Sequence, residues 1–138
     1  MIRVLNSDVL LIQFAKSVKG AEFKWGETDC ASLVRKSLRI IYGHDVWGII
    51  GHWSTEIGAA RIVNKVGMDV DVGMRNTGAH IVERPYVKWG HVATDTIHQF
   101  GMVLPAGAFL GSDEQSNTVM ITKLANVGND FTFWSYDG

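Results

Sequence analysis

The chain has 138 residues and a mass of 15.3 kDa, a one-domain length that buries roughly two thirds of its extended surface on folding. Hydrophobic residues at 46% and charged residues at 20% exclude a disordered chain, and a formal charge of −1 argues against a nucleic-acid module resting on bulk electrostatics. The lone cysteine, Cys30, excludes an internal disulfide and a four-cysteine zinc site.

The N-terminal half reads as helical. Ser7 or Asp8 can cap a first helix carrying Val9, Leu10, Ile12, Phe14, Ala15 and Val18, with Gly20 as its stop. Thr28 and Asp29 are good N-cap types for a second helix. Its apolar stripe takes Cys30, Leu33, Val34, Leu38, Ile41 and Tyr42, and Gly43 ends it. A third helix begins at Ser54-Thr55-Glu56 and carries Ile57, Ala60, Val63 and Val66 before Gly67.

The C-terminal half reads as strands at 80–82, 89–93, 97–104, 108–110, 118–121 and 131–134, separated by turn chemistry at 94–96, 105–107, 112–117 and 126–130. The aromatic run Phe131–Tyr136 suits a core strand better than an edge covered by a partner. Helices followed by strands predict a single α+β domain over residues 1–138, with N-terminal helices packed on a mostly antiparallel sheet. The first residues lack a signal-peptide pattern, and no apolar run approaches a membrane span. The expectation is a soluble chain made in a cytoplasm, with no membrane or nucleic-acid partner. Asp69, Asp71, Glu83 and Asp95 do not form a metal-ligand array, and the stretch 73–78 has no phosphate-loop spacing, so no metal and no cofactor is expected.

Cys30 is the sharpest chemical feature. In the first turn of a helix a cysteine meets the positive end of the macrodipole and unpaired N–H groups, which favour thiolate; its place on the apolar stripe turns it toward the sheet. A nucleophilic thiol needs a base, and the chain offers His44, His52, His80, His91 and His98. His98 shares parity with Phe100, Met102 and Leu104, the apolar side of its strand, and His91 after Trp89-Gly90 is the alternative.

The run Phe23-Lys24-Trp25-Gly26-Glu27-Thr28-Asp29-Cys30 resembles the nucleophile segment of NlpC-like papain-fold cell-wall peptidases, especially short members encoded among phage tail genes. Gly43-His44-Asp45 and the segment Thr55–Arg61 match the same short members. Departures are Ala31-Ser32 where the family has Ser-Gly, Phe23 in place of a tyrosine, and Gly90-His91 in place of Gly-Asp. The family step before a hydrophobic-Gly-hydrophobic run falls on Gln99 without a gap, and on His98 with a one-residue bulge. The resemblance implies a papain-like (NlpC-type) fold, Cys30 as nucleophile, His98 (alternatives His91 and Gln99) as its partner, and Asp113, beside Ser112, as the polar third member. It further implies a virion component of the phage tail, assembled in the host cytoplasm among other tail proteins and present mainly as structure with an eroded Cys30 site, peptidoglycan peptides being the substrate of any hydrolysis retained. A fully active peptidoglycan peptidase or amidase is the alternative, and a cytoplasmic binding protein without catalysis is a second one.

Overall fold

Among the residues that the computed structural model describes (1–65, 69–96, 99–113 and 115–138), four helices precede six strands. The helices are α1 (Ser7–Val18), α2 (Cys30–Tyr42), α3 (Glu56–Lys65) and α4 (Val70–Asn76). The strands are β1 (His80–Val82), β2 (Val92–Thr94), β3 (Phe100–Leu104), β4 (Ala108–Asp113), β5 (Thr118–Lys123) and β6 (Thr132–Ser135). They form one sheet in the order β1-β6-β2-β3-β4-β5, each neighbouring pair antiparallel. The expected α+β order, helices first and sheet second, is present.

The second helix forms where its stripe predicts. Leu33, Val34, Leu38 and Ile41 are 0–1% exposed and lie against β3 and β4, with Gly43 closing the helix in a left-handed conformation. Burial of four such side chains contributes roughly 6–12 kcal/mol before chain entropy is counted. Leu11 and Ala15 of α1 join the same core, with Val92, Met102, Leu104, Leu110, Val119 and Trp134 from the sheet. The sheet's other face carries Ala93, Val103, Phe109 and Phe133, covered by Val82, Val87, Leu124, Val127 and Phe131.

Several expectations are corrected. In α1 the buried positions are Ser7, Leu11 and Ala15, whereas Val9 and Leu10 face outward. The cap residue is Asn6, in a left-handed conformation and without a side-chain cap, because Ser7 is already inside the helix with a buried hydroxyl. Helix α4 has no counterpart among the predicted elements. Seven residues are too few for a period to show, yet Asp69 caps it by accepting from the N–H groups of Asp71 and Val72. Val66 and Gly67, the predicted end of the third helix, lie outside the described residues.

In the sheet, Thr94 belongs to β2 rather than to a turn: it pairs with Phe100 and Thr132, and its hydroxyl accepts from the Trp134 indole at 2.9 Å. Ser112 and Asp113, assigned to a turn by composition, continue β4 because they pair with Val119 and Thr118 of β5. The aromatic segment is a core strand. β6 sits between β1 and β2, and the edges are β1 and β5.

Candidate active site around Cys30

The segment before α2 is a closed turn. The Lys24 carbonyl accepts from the N–H groups of Glu27, Thr28 and Asp29 at 2.9–3.1 Å, and the Thr28 hydroxyl donates to the Glu22 carbonyl at 2.6 Å. Gly26 is in the left-handed region at φ 80°, and a Cβ there would run into the Trp53 carbonyl, so only glycine fits both constraints. Phe23 and Trp25 stack edge to face with centroids 5.0 Å apart beside this turn.

Asp29 holds the turn to the helix. Its Oδ1 accepts from the Ser32 N–H at 2.9 Å, the N-cap bond of α2. Its Oδ2 accepts from the Gly26 N–H at 2.6 Å, the Ser32 hydroxyl at 2.7 Å and the Trp53 indole at 3.0 Å. One buried carboxylate thus ties the loop, the helix start and the 51–53 segment together, which fixes where the next side chain emerges.

That side chain is Cys30, the first residue of α2 and half-buried. Burial pushes its thiol up to about 11. The backbone N–H of Phe100 counteracts this, the Asp29 charge adds to it, and the N–H groups of Ala31 and Cys30 itself oppose it. The helix start therefore exerts the pull expected from sequence, but desolvation and the neighbouring carboxylate outweigh it. The resting group is a neutral thiol, a correction to the thiolate expectation.

The Phe100 contact places the sulfur at the beginning of β3, on the layer between helix and sheet. The Phe100 ring packs edge to face on Trp47, with centroids 5.7 Å apart. Strand alternation puts Ser112 on the same sheet face as Leu110, one step beyond the Met102–Leu110 pair and so level with Phe100. The Ser112 hydroxyl oxygen is buried and has no hydrogen-bond partner. Asp113 closes β4 opposite Thr118. Ser112 is on the sheet face that α2 covers.

The histidines separate clearly. His98 lies outside the described residues. His91 is buried near the other end of α2. Its Nδ1 accepts from the Lys88 N–H at 3.1 Å, and its Nε2 stands 3.9 Å from Asp137, which also accepts from the Tyr42 hydroxyl at 2.9 Å. Tyr42 is the last residue of α2 and Cys30 the first, about 18 Å apart along a helix of 1.5 Å rise. His91 therefore belongs to the Arg3–Asp137–Tyr42 cluster. Burial and the Arg3 guanidinium push its imidazole down to about 4. Gln99 is exposed, and its backbone N–H and carbonyl bond the Asp95 carboxylate and backbone N–H. His44 follows the end of α2, His80 is exposed on edge strand β1, and His52 lies in the connection after Gly51. Among the described residues no group of three or more His, Cys, Asp or Glu could hold a metal.

A family model matches residues 3–126, which runs from before α1 past the end of β5. The chain belongs to that family, described as a domain of unknown function, DUF6950. No curated protein and no solved structure matches it. The matched part of this DUF6950 chain contains the Asp29 turn, Cys30, Phe100 and Ser112, while β6, in the middle of the sheet, falls beyond it.

Sequence reasoning missed two features of the region. Arg35 sits on the polar side of the α2 stripe yet is buried, and its guanidinium binds Asp45 through two bonds of 3.0 and 2.8 Å and the carbonyls of Trp47, Ile50 and Gly51. Trp53 reaches back 24 residues to Asp29. Both are long-range contacts, and the only local sign of either was the Gly-Asp corner at Gly43-His44-Asp45.

Proposed function

We propose that this chain is an NlpC-like, papain-type domain carried in a phage tail, in the tail-tip or baseplate region, and that Cys30 is its nucleophile toward peptide bonds of peptidoglycan. One observation carries the reading: a sulfur at the first residue of a buried helix, facing the start of a sheet strand, with backbone N–H groups from both elements directed at it. The resemblance of 23–30 to the nucleophile segment of such enzymes supports it.

The chemistry follows from a neutral resting thiol. With burial raising its acidity to about 11, the resting thiol is protonated at pH 7. Attack on an amide carbonyl therefore requires the sulfur's proton to move to a base as the S–C bond forms, and His98 is the residue assigned to that role. The Cys30 N–H stabilises the developing oxyanion. The proton held by the imidazole then passes to the leaving amine as the C–N bond breaks, and water hydrolyses the thioester. No cofactor enters the reaction.

The test is release of peptide fragments from purified peptidoglycan, read by mass spectrometry. The expected result is fragments from the native chain, none from Cys30→Ser and none from His98→Ala. Equal yields from native chain and Cys30→Ser overturn the catalytic assignment, and absence of the chain from purified particles overturns the tail assignment. A second reading, a tail component that serves only as structure, draws support from the raised thiol acidity and the Asp29 carboxylate next to it. It predicts intact peptidoglycan together with incorporation into particles.

A further inference from the structure

A cleft of about 160 Å³ opens on the face of α2 turned away from the Cys30 stripe. Ser32, Arg35, Lys36 and Arg39 line it at i, i+3, i+4 and i+7, and Gly26, Asp45, His52 and Trp53 form the opposite wall. Three cations line the cleft with the Asp45 carboxylate, which Arg35 grips at both oxygens, and a second carboxylate, Asp29, lies directly behind Gly26, Ser32 and Trp53. Among the described residues Lys36 donates only to a neutral acceptor, the Glu27 carbonyl, at 2.7 Å. The Arg39 guanidinium has no hydrogen-bond or ion-pair partner among the described residues. Against these two carboxylates one positive charge remains in excess, carried at the exposed Lys36 and Arg39 end of the cleft on a chain whose overall charge is −1, an arrangement that attracts anions.

We propose that this cleft binds a small organic anion, its carboxylate held by Arg39 and Lys36 and its flat apolar body laid along Trp53. The Arg39 fork matches a carboxylate at two points, and Lys36 adds a compact charge beside it. Trp53 is half-buried, with its indole N–H anchored on Asp29 and Arg35 5.9 Å from the ring, so the wall is rigid. The cleft is small and open on one side, which suits a carboxylate carried on a single small ring, such as benzoate. The site is separate from Cys30 and does not depend on the proposed hydrolysis.

The experiment is a titration of the full chain followed by amide and indole NMR at constant ionic strength, with sodium benzoate, benzamide and inorganic phosphate as probes. The Trp53 indole signal is identified by its loss in Trp53→Phe. Benzoate is expected to shift that signal saturably in the millimolar range, with benzamide inert and phosphate weaker. The double variant Lys36→Gln/Arg39→Gln is expected to weaken benzoate about tenfold or more, since two charge-assisted contacts are lost, while Lys16→Gln on α1 leaves it unchanged. Arg39→Gln alone provides the comparison if the double variant shows poor signal dispersion, and is expected to weaken benzoate several-fold. No saturable shift, an equal response to benzamide, native-like binding by the glutamine variants, or phosphate binding as tightly as benzoate would each overturn the assignment.

Discussion

Replacing Asp29 separates its role as a structural anchor from its role as a charge beside the sulfur. In Asp29→Ala the Ser32 N–H loses its cap, at about 0.5–2 kcal/mol. The Gly26 N–H and the Trp53 indole lose their acceptor, at roughly 1–3 kcal/mol each if water does not replace it. About 3–5 kcal/mol is the expected total, with partial hydration taken into account. At about 2 cal/mol/K of unfolding entropy per residue, that lowers the melting temperature by roughly 10–17 °C. Asp29→Asn keeps one oxygen for the three Oδ2 donors and turns its NH2 toward the Ser32 N–H, so about 1–2 kcal/mol is lost and the melting temperature falls by roughly 3–7 °C. The same substitution removes the negative charge that raises the Cys30 thiol, so the alkylation midpoint falls below its value near 11. Thermal melts followed by circular dichroism and iodoacetamide rates against pH provide both readouts. Equal destabilisation by Asn and Ala, or a Cys30 midpoint that stays put or rises in Asp29→Asn, would refute the reasoning.

Ser7→Ala deletes a buried hydroxyl that has no partner and is expected to stabilise the chain by about 1 kcal/mol, visible as a melting temperature higher by a few degrees. Gly101→Ala places a methyl group inside the Phe109 ring, so a loss of about 2 kcal/mol or more is expected in urea unfolding, relieved in part by adding Phe109→Leu. His91 binds its proton near pH 4 when folded and near 6.5 when unfolded. The unfolded state therefore protonates first, and the stability present above pH 6.5 drains away toward pH 4, by about 3 kcal/mol. His91→Gln, which retains an acceptor for the Lys88 N–H, is expected to flatten urea-unfolding stability between pH 7 and 4.5; an unchanged slope would contradict the assignment. Asp137, held at about 2 by the Arg3 guanidinium and the Tyr42 hydroxyl against the opposing effect of burial, adds its own loss only below that window.

Much of the fold was legible because its signals are local. The stripe from Leu33 to Ile41, the Thr28-Asp29 cap pair and Gly43 as stop place α2, and the structure selects Asp29 of the pair. The helices-then-strands order gave the class. What escaped depends on distant partners. Val9 and Leu10 are as apolar as Leu11, and only the packing of α1 on α2 decides that Leu11 is the one buried. Ser112 and Asp113 read as turn residues until β5 pairs with them. His91 looked like an alternative base because its place after Trp89-Gly90 puts it in the sheet half, but sequence does not say which end of a helix it meets. The Asp137 cluster answers that question.

The thiol shows where a local rule loses. A helix start favours an anion by a fraction of a kcal/mol to about 2 kcal/mol, depending on burial. The carboxylate that caps α2 occupies the same helix end, takes the Ser32 N–H for itself and sets a like charge next to any thiolate. Capping and thiol activation therefore compete for one helix terminus, and in Asp29-Cys30 the cap has won. A nucleophile built this way stays protonated until a base and a substrate arrive together, so its alkylation at neutral pH is slow in the resting chain. If Cys30 is the working sulfur, occupancy of the site by a peptide must accelerate the departure of its proton. A solvent isotope effect on peptide cleavage, absent from alkylation by a small reagent at pH 11, is the signature that such coupled proton transfer leaves.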